Sequence, residues 1–421
     1  MRSASARHRH QLRLPRSRVT ALAAVAAVAV LAGCSSSGSS SSGASSSSSS
    51  GGGSSSGGSG EYQLGATLGL TGPIAGVATP YSTGIGAYFN YMNSHGGING
   101  HKVKYTALDD ATNVTTGVAN VRQLVTTDHV SAVYYILSNV QDATAAYLAQ
   151  NKVATVTQAV DATVVHPTQQ YVFAGGIVEP DEATPMIQFG KTKIPGVSSP
   201  KAAVITTTSV ALEELDKNLQ SQAKSAGQSI IGNQVVPLTA TDMSSEAQQF
   251  AAKKPDIVYS GLIATQEPSF VAAMRQAGFK GPIIQYDGGS SFPLMKQLAD
   301  PNIYFLFPTS FGHNAGPQVT IMQQAAKAAG TSADAYFFSF GYVQGYIVGQ
   351  ALKSCGYPCD GEQLAANLDK LTNFNTGGLT FGNWNYSPTD HSGIQQVAFF
   401  AWDAAKKDAV QSGAPVAMPN T

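Results

Sequence analysis

The sequence predicts an α/β protein of two successive modules, each built on a parallel central sheet, and three observations carry that expectation. Short apolar runs alternate with helical patterns, once from Leu64 to Ala174 and again from Lys201 to Phe307. Strands alternating with helices of about ten to fifteen residues give right-handed βαβ units. The first run, Leu64 to Leu70, is apolar or small almost throughout, as a strand covered on both faces requires. Beyond Phe307 the pattern turns mainly helical, with too few strands for a third sheet, so these helices are expected to return and cover the first module.

The opening strand ends at Thr71-Gly72-Pro73, where Gly72 frees the backbone and Pro73 stops the ladder. The chain leaves there at the carboxyl end of the strand, the edge of an open α/β sheet where ligands bind. Ile85, Tyr88, Phe89 and Met92 recur at three- and four-residue spacing and predict a helix over 81–92, which Gly96-Gly97 ends. A strand over 103–108 then delivers Asp109 and Asp110 to the same rim. Adjacent on a strand end, these carboxylates point to opposite faces and make no acid/base pair. Helices over 114–125 and 141–150 and strands over 132–137, 153–157 and 171–174 complete the first module. Pro180, Asp181 and Glu182 open the next helix, acidic residues that suit a helix amino end.

The second module reads as strands over 201–206, 230–237, 256–260, 282–285 and 303–307, with helices over 212–226, 244–252 and 268–277. Helices over 319–329, 335–353 and 361–371 follow, and only 378–381 and 395–402 look extended. Tyr336, Phe337, Phe338 and Phe340 are expected in the core.

The first sixty residues are not expected to belong to this fold. Six arginines from Arg2 to Arg18 precede an apolar run, Val19 to Leu31, that is short for a membrane span and reads as an export signal. Residues 35–60 are almost wholly Ser and Gly, a composition that forms a flexible tether. With the six arginines set aside, 19 basic residues face all 25 acidic ones, which argues against nucleic acid or anionic lipid as partner. Cys355 and Cys359, in CGYPC at a helix end, are expected to pair as a disulfide in an oxidising compartment. The competing metal reading lacks two further ligands. The histidines show no metal-binding spacing, and no cofactor is expected.

Several stretches carry a family resemblance. They are GLTGPIAG from Gly69, GGINGHKV from Gly96 ahead of Asp109-Asp110, VRQLV before a strand, AAMRQAGFKGPII after one, and GLTFG with QVAFFAWDA near the end. In this order and spacing the chain from Glu61 to Asp403 resembles the branched-chain amino acid (hydrophobic amino acid/amide) group of ABC-transporter solute-binding proteins, of the type I periplasmic-binding-protein fold. Leu31-Ala32-Gly33-Cys34 likewise resembles the lipobox of bacterial lipoproteins, which implies lipidation of Cys34; an ordinary signal peptide with a chance cysteine is the alternative. The resemblance implies two Rossmann-like lobes joined by three crossovers, with a small ligand enclosed at the hinge. The expected division is a signal peptide over 1–34, a tether over 35–60, one lobe from 61–178 with 312–385, a second from 179–311 with 386–415, and a tail over 416–421. It further implies a monomer anchored on the outer face of the cell membrane, which hands a solute to an ABC permease and ATPase.

Six loops at strand carboxyl ends are the candidate walls of the cleft: 71–81, 137–142, 157–163, 206–212, 261–267 and 286–292. They are rich in Ser, Thr, Asn and Gln and contain no Lys or Arg, which disfavours phosphate or a dicarboxylate as ligand. By the resemblance, a ligand carboxylate is met by Asn139 beside Ser138 and by Ala159, through its backbone, with Asp161. The ligand amine is met by Asp287, although Tyr286-Asp287-Gly288-Gly289 also suits a tight turn. Thr71, Val77, Tyr81, Ala211 and Leu262 complete the candidate set. Asp161 replaces a family hydroxyl, and aromatics are missing at Val77 and near Val210-Ala211. A carboxylate at 161 would repel a ligand carboxylate, so a neutral or cationic solute is expected: an amide, a urea-like compound, a polyol or a basic amino acid. A sensor that signals to a membrane receptor is the alternative function. An extracellular hydrolase is a weaker one, since the α/β body carries neither a GxSxG elbow nor a P-loop.

Overall fold

The computed structural model describes residues 60–158, 161–312 and 314–419. The signal peptide, most of the tether, Cys34 and the candidate Ala159 lie outside the described residues.

The first sheet has five parallel strands in the order β2-β1-β3-β4-β5: β1 (Glu61–Leu68), β2 (Lys102–Asp109), β3 (Ala132–Tyr135), β4 (Ala154–Thr157) and β5 (Val172–Ala174). Both neighbours of β1 are later strands, so the order reverses between β1 and β3, and the loops above that junction are where a doubly wound sheet opens a crevice. Helices α1 (Ala75–Ser94), α2 (Val114–Thr126), α3 (Ser138–Gln150) and the short α4 (Ala162–Val165) follow the strands in turn. The helix α1 starts six residues earlier than its apolar spacing suggested and runs through Pro80. Pro80 is near the helix start, where one lost backbone bond costs least.

After β5 the chain crosses through a 3₁₀ turn, Glu179–Glu182, into α5 (Ala183–Thr192). The second sheet takes β6 (Lys201–Thr207), β7 (Ser229–Val236), β8 (Ile257–Gly261), β9 (Ile283–Gln285) and β10 (Ile303–Phe307), mutually parallel. Helices α6 (Val210–Ser225), α7 (Ser244–Lys253), α8 (Glu267–Gln276) and α9 (Phe292–Leu298) connect them. The chain then returns to the first sheet as α10 (Pro317–Ala328), α11 (Tyr336–Cys355) and α12 (Gly361–Leu368), with α10 and α11 against α1. Residues 378–381, expected to be extended, form only one bridge, Thr309 to Thr380, because Gly377 and Gly378 both take left-handed backbone.

The hairpin β11 (Trp384–Ser387) and β12 (Asp390–Ile394) stays with the first sheet, packed against β5. The Tyr386 hydroxyl donates to Ala174 O at 2.7 Å, and the ring nitrogens of His391 lie 2.7 Å from Val172 O and 2.8 Å from Asp369 Oδ1. The third crossing falls after β12. Beyond it β13 (Gln396–Asp403) pairs antiparallel with β10, and β14 (Asp408–Gln411) and β15 (Val416–Ala417) both pair with β13. Two parallel-centred sheets joined by three crossings are the architecture the family resemblance implied.

Cys355, the last residue of α11, is joined to Cys359 by a disulfide with Cα atoms 6.0 Å apart. Among the described residues no helix is long and apolar enough to cross a membrane.

Candidate functional site

The carboxyl ends of the strands carry the candidate loops, and the structure divides their residues into two sorts. Thr71 is exposed, and its hydroxyl and N–H donate to the Asp109 carboxylate at 2.6 and 3.2 Å, which holds the turn after β1 against the end of β2. Asp109 stays exposed while Asp110 is buried, accepting from the Thr67 hydroxyl at 2.9 Å and the Thr112 N–H at 2.8 Å. The two carboxylates thus serve opposite faces. Ser138 opens α3, and Asn139 is exposed beside it with its Oδ1 accepting from Val140 N–H at 2.9 Å. Asn139, Thr67, Asp110 and Thr112 line a small recess at the β1/β3 junction. A hollow of about 430 Å³ opens elsewhere, on the outside of α1 over Ser82 and Tyr105, with an uncharged lining.

Other candidates are packed into the body. Tyr81 is fully buried, its hydroxyl bonded to Gln344 Oε1 and 3.2 Å from Tyr135 O. Leu262 is fully buried, and its carbonyl accepts from Gln285 Nε2 at 2.6 Å. Val77 packs partly buried against the core. Ala211 lies buried in the first turn of α6, below the Ser209 cap, which accepts from Leu212 N–H at 3.1 Å; its neighbour Val210 is 66% exposed.

A cluster of carboxyls stands where the crossings converge. Asp287 follows β9 and is 5% exposed. Its Oδ2 accepts from the Tyr336 hydroxyl, at the start of α11, at 2.6 Å, and its N–H donates to Glu182 Oε2 at 3.0 Å. Glu182 belongs to the first crossing and is wholly buried, and its other oxygen, Oε1, has no hydrogen-bond partner among the described residues. Glu179, one turn earlier, retains some solvent contact, and no hydrogen bond or ion pair engages its carboxyl among the described residues. Desolvation, then the charges of Asp287 and Asp161, push Glu179 up to about 8. Burial drives Glu182 well above the usual carboxylate range, and Asp287 upward too. Asp161 stands just before α4, buried, with Oδ1 accepting from the Thr163 hydroxyl at 2.8 Å.

The structure therefore brings Asp161 and Asp287 into one electrostatic neighbourhood, with Glu179 coupled to both. No Lys or Arg ion pair engages any of these four carboxyls among the described residues. Chemically, such a region can accept hydrogen bonds from an amine or amide and disfavours an anion. Two members escaped sequence reasoning. Glu182 reads as an acidic residue at a helix amino end and Glu179 carries no signal of its own, yet the EPDE run begins at a crossing between sheets. Tyr336 is buried as expected, but its hydroxyl is part of the cluster.

A family model described as periplasmic binding protein matches residues 61–408. No curated protein matches the chain. Among solved structures, the valine-bound branched-chain amino acid ABC transporter protein of Thermus thermophilus superposes with a TM-score of 0.76 at 13% identity, over 85% of this chain and 96% of that one. The isoleucine-bound branched-chain amino acid substrate-binding protein of Streptococcus pneumoniae gives 0.70 at 18%, over 85% and 99%. The fatty acid ABC transporter substrate-binding protein of Thermomonospora curvata gives 0.72 at 18%, over 85% and 92%. At such identities the likeness is one of fold, and it agrees with the sheet order and crossings above. With the family model spanning nearly the whole α/β body, the chain belongs to the periplasmic binding protein family, in its type I fold.

Proposed function

We propose that the protein is the extracytoplasmic solute-binding lipoprotein of an ABC importer. Two lobes, residues 61–178 with 312–394 and residues 179–311 with 395–415, close on a small amino acid, amide or related polar solute and present it to a membrane permease. Cys34 carries the lipid anchor, the Ser/Gly segment is the tether, and no chemistry is done on the solute. Relatives of this fold named for bound valine and isoleucine, and for transport of fatty acids, support solute binding as the task without choosing the solute.

The observation that carries the reading is Asp287, a buried carboxylate at the convergence of the crossings with no basic partner among the described residues. A charge placed there is costly unless a ligand donor meets it. With Asp161 where a hydroxyl was expected, the favoured solutes are neutral or cationic. Closure is driven by contacts that only the closed form makes with both lobes.

Mass spectrometry of whatever co-purifies names the solute. Calorimetric titration with it should show Asp287→Ala weakened roughly ten- to a hundredfold, the worth of one charge-assisted hydrogen bond, with the circular dichroism spectrum unchanged. Wild-type affinity in the variant, or a preference for dicarboxylates, would defeat the reading.

A further inference from the structure

Asp287 is not a free carboxylate. Its own N–H is held 3.0 Å from Glu182 Oε2, and one of its oxygens is held 2.6 Å from the Tyr336 hydroxyl. The three residues come from three separate parts of the chain: the first crossing, the loop after β9, and the segment that opens α11 after the second crossing. All three are buried, at 0, 5 and 2% exposure.

The remaining oxygen of Glu182, Oε1, is buried and has no donor aimed at it. Were Glu182 ionised, that oxygen would carry unsolvated charge beside a second carboxylate. A proton on Oε1 removes the charge, and Asp287, whose own N–H holds Oε2 at 3.0 Å, is the carboxyl beside it.

We propose that Glu182 is a positioning residue for Asp287: it stays a neutral acid, donates its proton into a hydrogen bond to the Asp287 carboxylate, and together with Tyr336 leaves the other Asp287 lone pairs for the solute. This rests on Asp287 being the ligand carboxylate proposed above. The pair shares one proton because two buried carboxylates in contact cannot both ionise. Of the groups that face it, Glu179 raises Glu182 further, while the Tyr336 hydroxyl stabilises the ionised Asp287. Glu179 lies on the same crossing, Tyr286 adjoins Asp287, Tyr336 opens α11, and Glu267 opens α8 and acts on Tyr286. On the outer side of the crossing, Asp181 sees Glu214 and its own partner His166, 3.8 Å away. Among the described residues no lysine or arginine acts on Glu182 or Asp287. Raising the pH far enough to strip the shared proton should therefore end binding.

The test begins on the ligand-free protein. Infrared spectra at neutral pH, with and without ¹³C-glutamate, should contain a protonated-carboxyl component that Glu182→Gln abolishes. In Glu182→Leu, which removes the donor, a new component that shifts with ¹³C-aspartate should appear as Asp287 takes up a proton; Glu182→Gln, whose amide still donates, should not produce it. Calorimetry with L-arginine, L-valine and propionamide from pH 6 to 9 supplies the second arm. For whichever probe binds wild type, Glu182→Gln should hold affinity within threefold and flatten the alkaline loss, and Glu182→Leu should weaken binding at least tenfold while keeping its circular dichroism spectrum. Glu179 and Glu267, raised to about 8, account for the glutamic acid signal that remains in Glu182→Gln; a signal as large there as in wild type overturns the proposal. So does a Glu182→Leu protein without the aspartic acid component, or one whose affinity and pH profile match wild type. If none of the probes binds wild type while both infrared changes occur, the proton-sharing pair stands and the solute-binding reading of Asp287 is what fails.

Discussion

At the scale of single residues, Glu179 and Glu182 separate two outcomes of burying a carboxyl. Glu182 has a partner that makes use of its proton. Glu179 has none among the described residues, and Asp287 and Asp161 both disfavour its charge. Its ordinary value is 4.5 and its folded value about 8. The folded state therefore binds this proton more tightly than the unfolded chain does. Below the unfolded value both states are protonated and nothing is lost; between the two values folding must hold the proton against solution, and stability falls as pH rises. Glu179→Gln removes the titration and keeps the shape. The variant is expected to melt near the wild-type temperature at pH 5 and above it at pH 8, by about 2 °C or more, the shift that about 1 kcal/mol gives in a domain of this size or smaller. Equal melting temperatures at both pH values would show that water or a local rearrangement solvates Glu179. The solute, if cationic, would meet this carboxyl as well as Asp287, so the same variant should lose affinity while gaining stability.

At the scale of elements, α1 and α11 show what periodicity reveals and what it leaves out. Both helices were legible from their apolar spacing, and so were nearly all the parallel strands, because a doubly covered strand and a one-sided helix leave different periods in the sequence. What periodicity could not give is how closely the helices approach. Gly341, Gly345 and Gly349 recur every four residues along α11 and face α1. A Cβ on Gly341 would sit 2.0 Å from Tyr81 O, and one on Gly84 would sit 2.1 Å from Phe338 O. These contacts are with backbone, which cannot swing aside. Gly341→Ala is therefore expected to cost about 3 kcal/mol, the upper part of the usual overpacking range, read as a lower denaturation midpoint with an unchanged slope. A loss below about 0.5 kcal/mol would mean that the helices separate freely. The helix α9 escaped the sequence reading although its signals were present, Ser291 accepting from Leu294 N–H at 3.2 Å and Pro293 in the first turn. It is seven residues long, too short to display a period. The hairpin β11–β12 was missed for a related reason: its residues alternate around Trp384 and Tyr386, but Asn, Ser, Pro, Asp and Gly dominate the stretch and read as loop. At the candidate site, position along the chain located the rim, whereas which side chains turn inward there depended on tertiary burial. Tyr81 and Leu262 went into the core, and the acidic turn at the first crossing went into the hinge.

At the scale of the whole molecule, the buried carboxyls act in one direction. Glu267 opens α8 wholly buried, with Oε2 accepting from the Ser260 hydroxyl at 2.9 Å, and is pushed up to about 8 chiefly by desolvation. Glu179 lies at a similar value, and Glu182, Asp110, Asp142, Asp181, Asp216 and Asp287 are all raised, each chiefly by burial. The lowered acids Asp109 and Asp242 sit at the surface, where hydrogen bonds to their charged forms are screened and weak. In an ordinary protein, paired carboxylates lose stability as pH falls. Here the dominant groups are carboxyls held neutral, so the sign reverses: stability is greatest in mildly acidic solution, near the unfolded carboxyl values, and declines as pH climbs toward 8. For a carboxyl fully protonated in the fold and fully ionised in the unfolded chain, each pH unit costs about 1.4 kcal/mol. A melting series from pH 5 to 9 in one ionic strength should fall steadily, and Glu179→Gln combined with Glu267→Gln should flatten it. The same series with saturating solute adds a second handle: protection should be smallest at the alkaline end, where the shared proton that binding needs is lost. A melting temperature that stays level or rises between pH 5 and 8 would mean that these carboxyls are ionised in the folded state, and with them the account of a hinge that awaits a donor would fail.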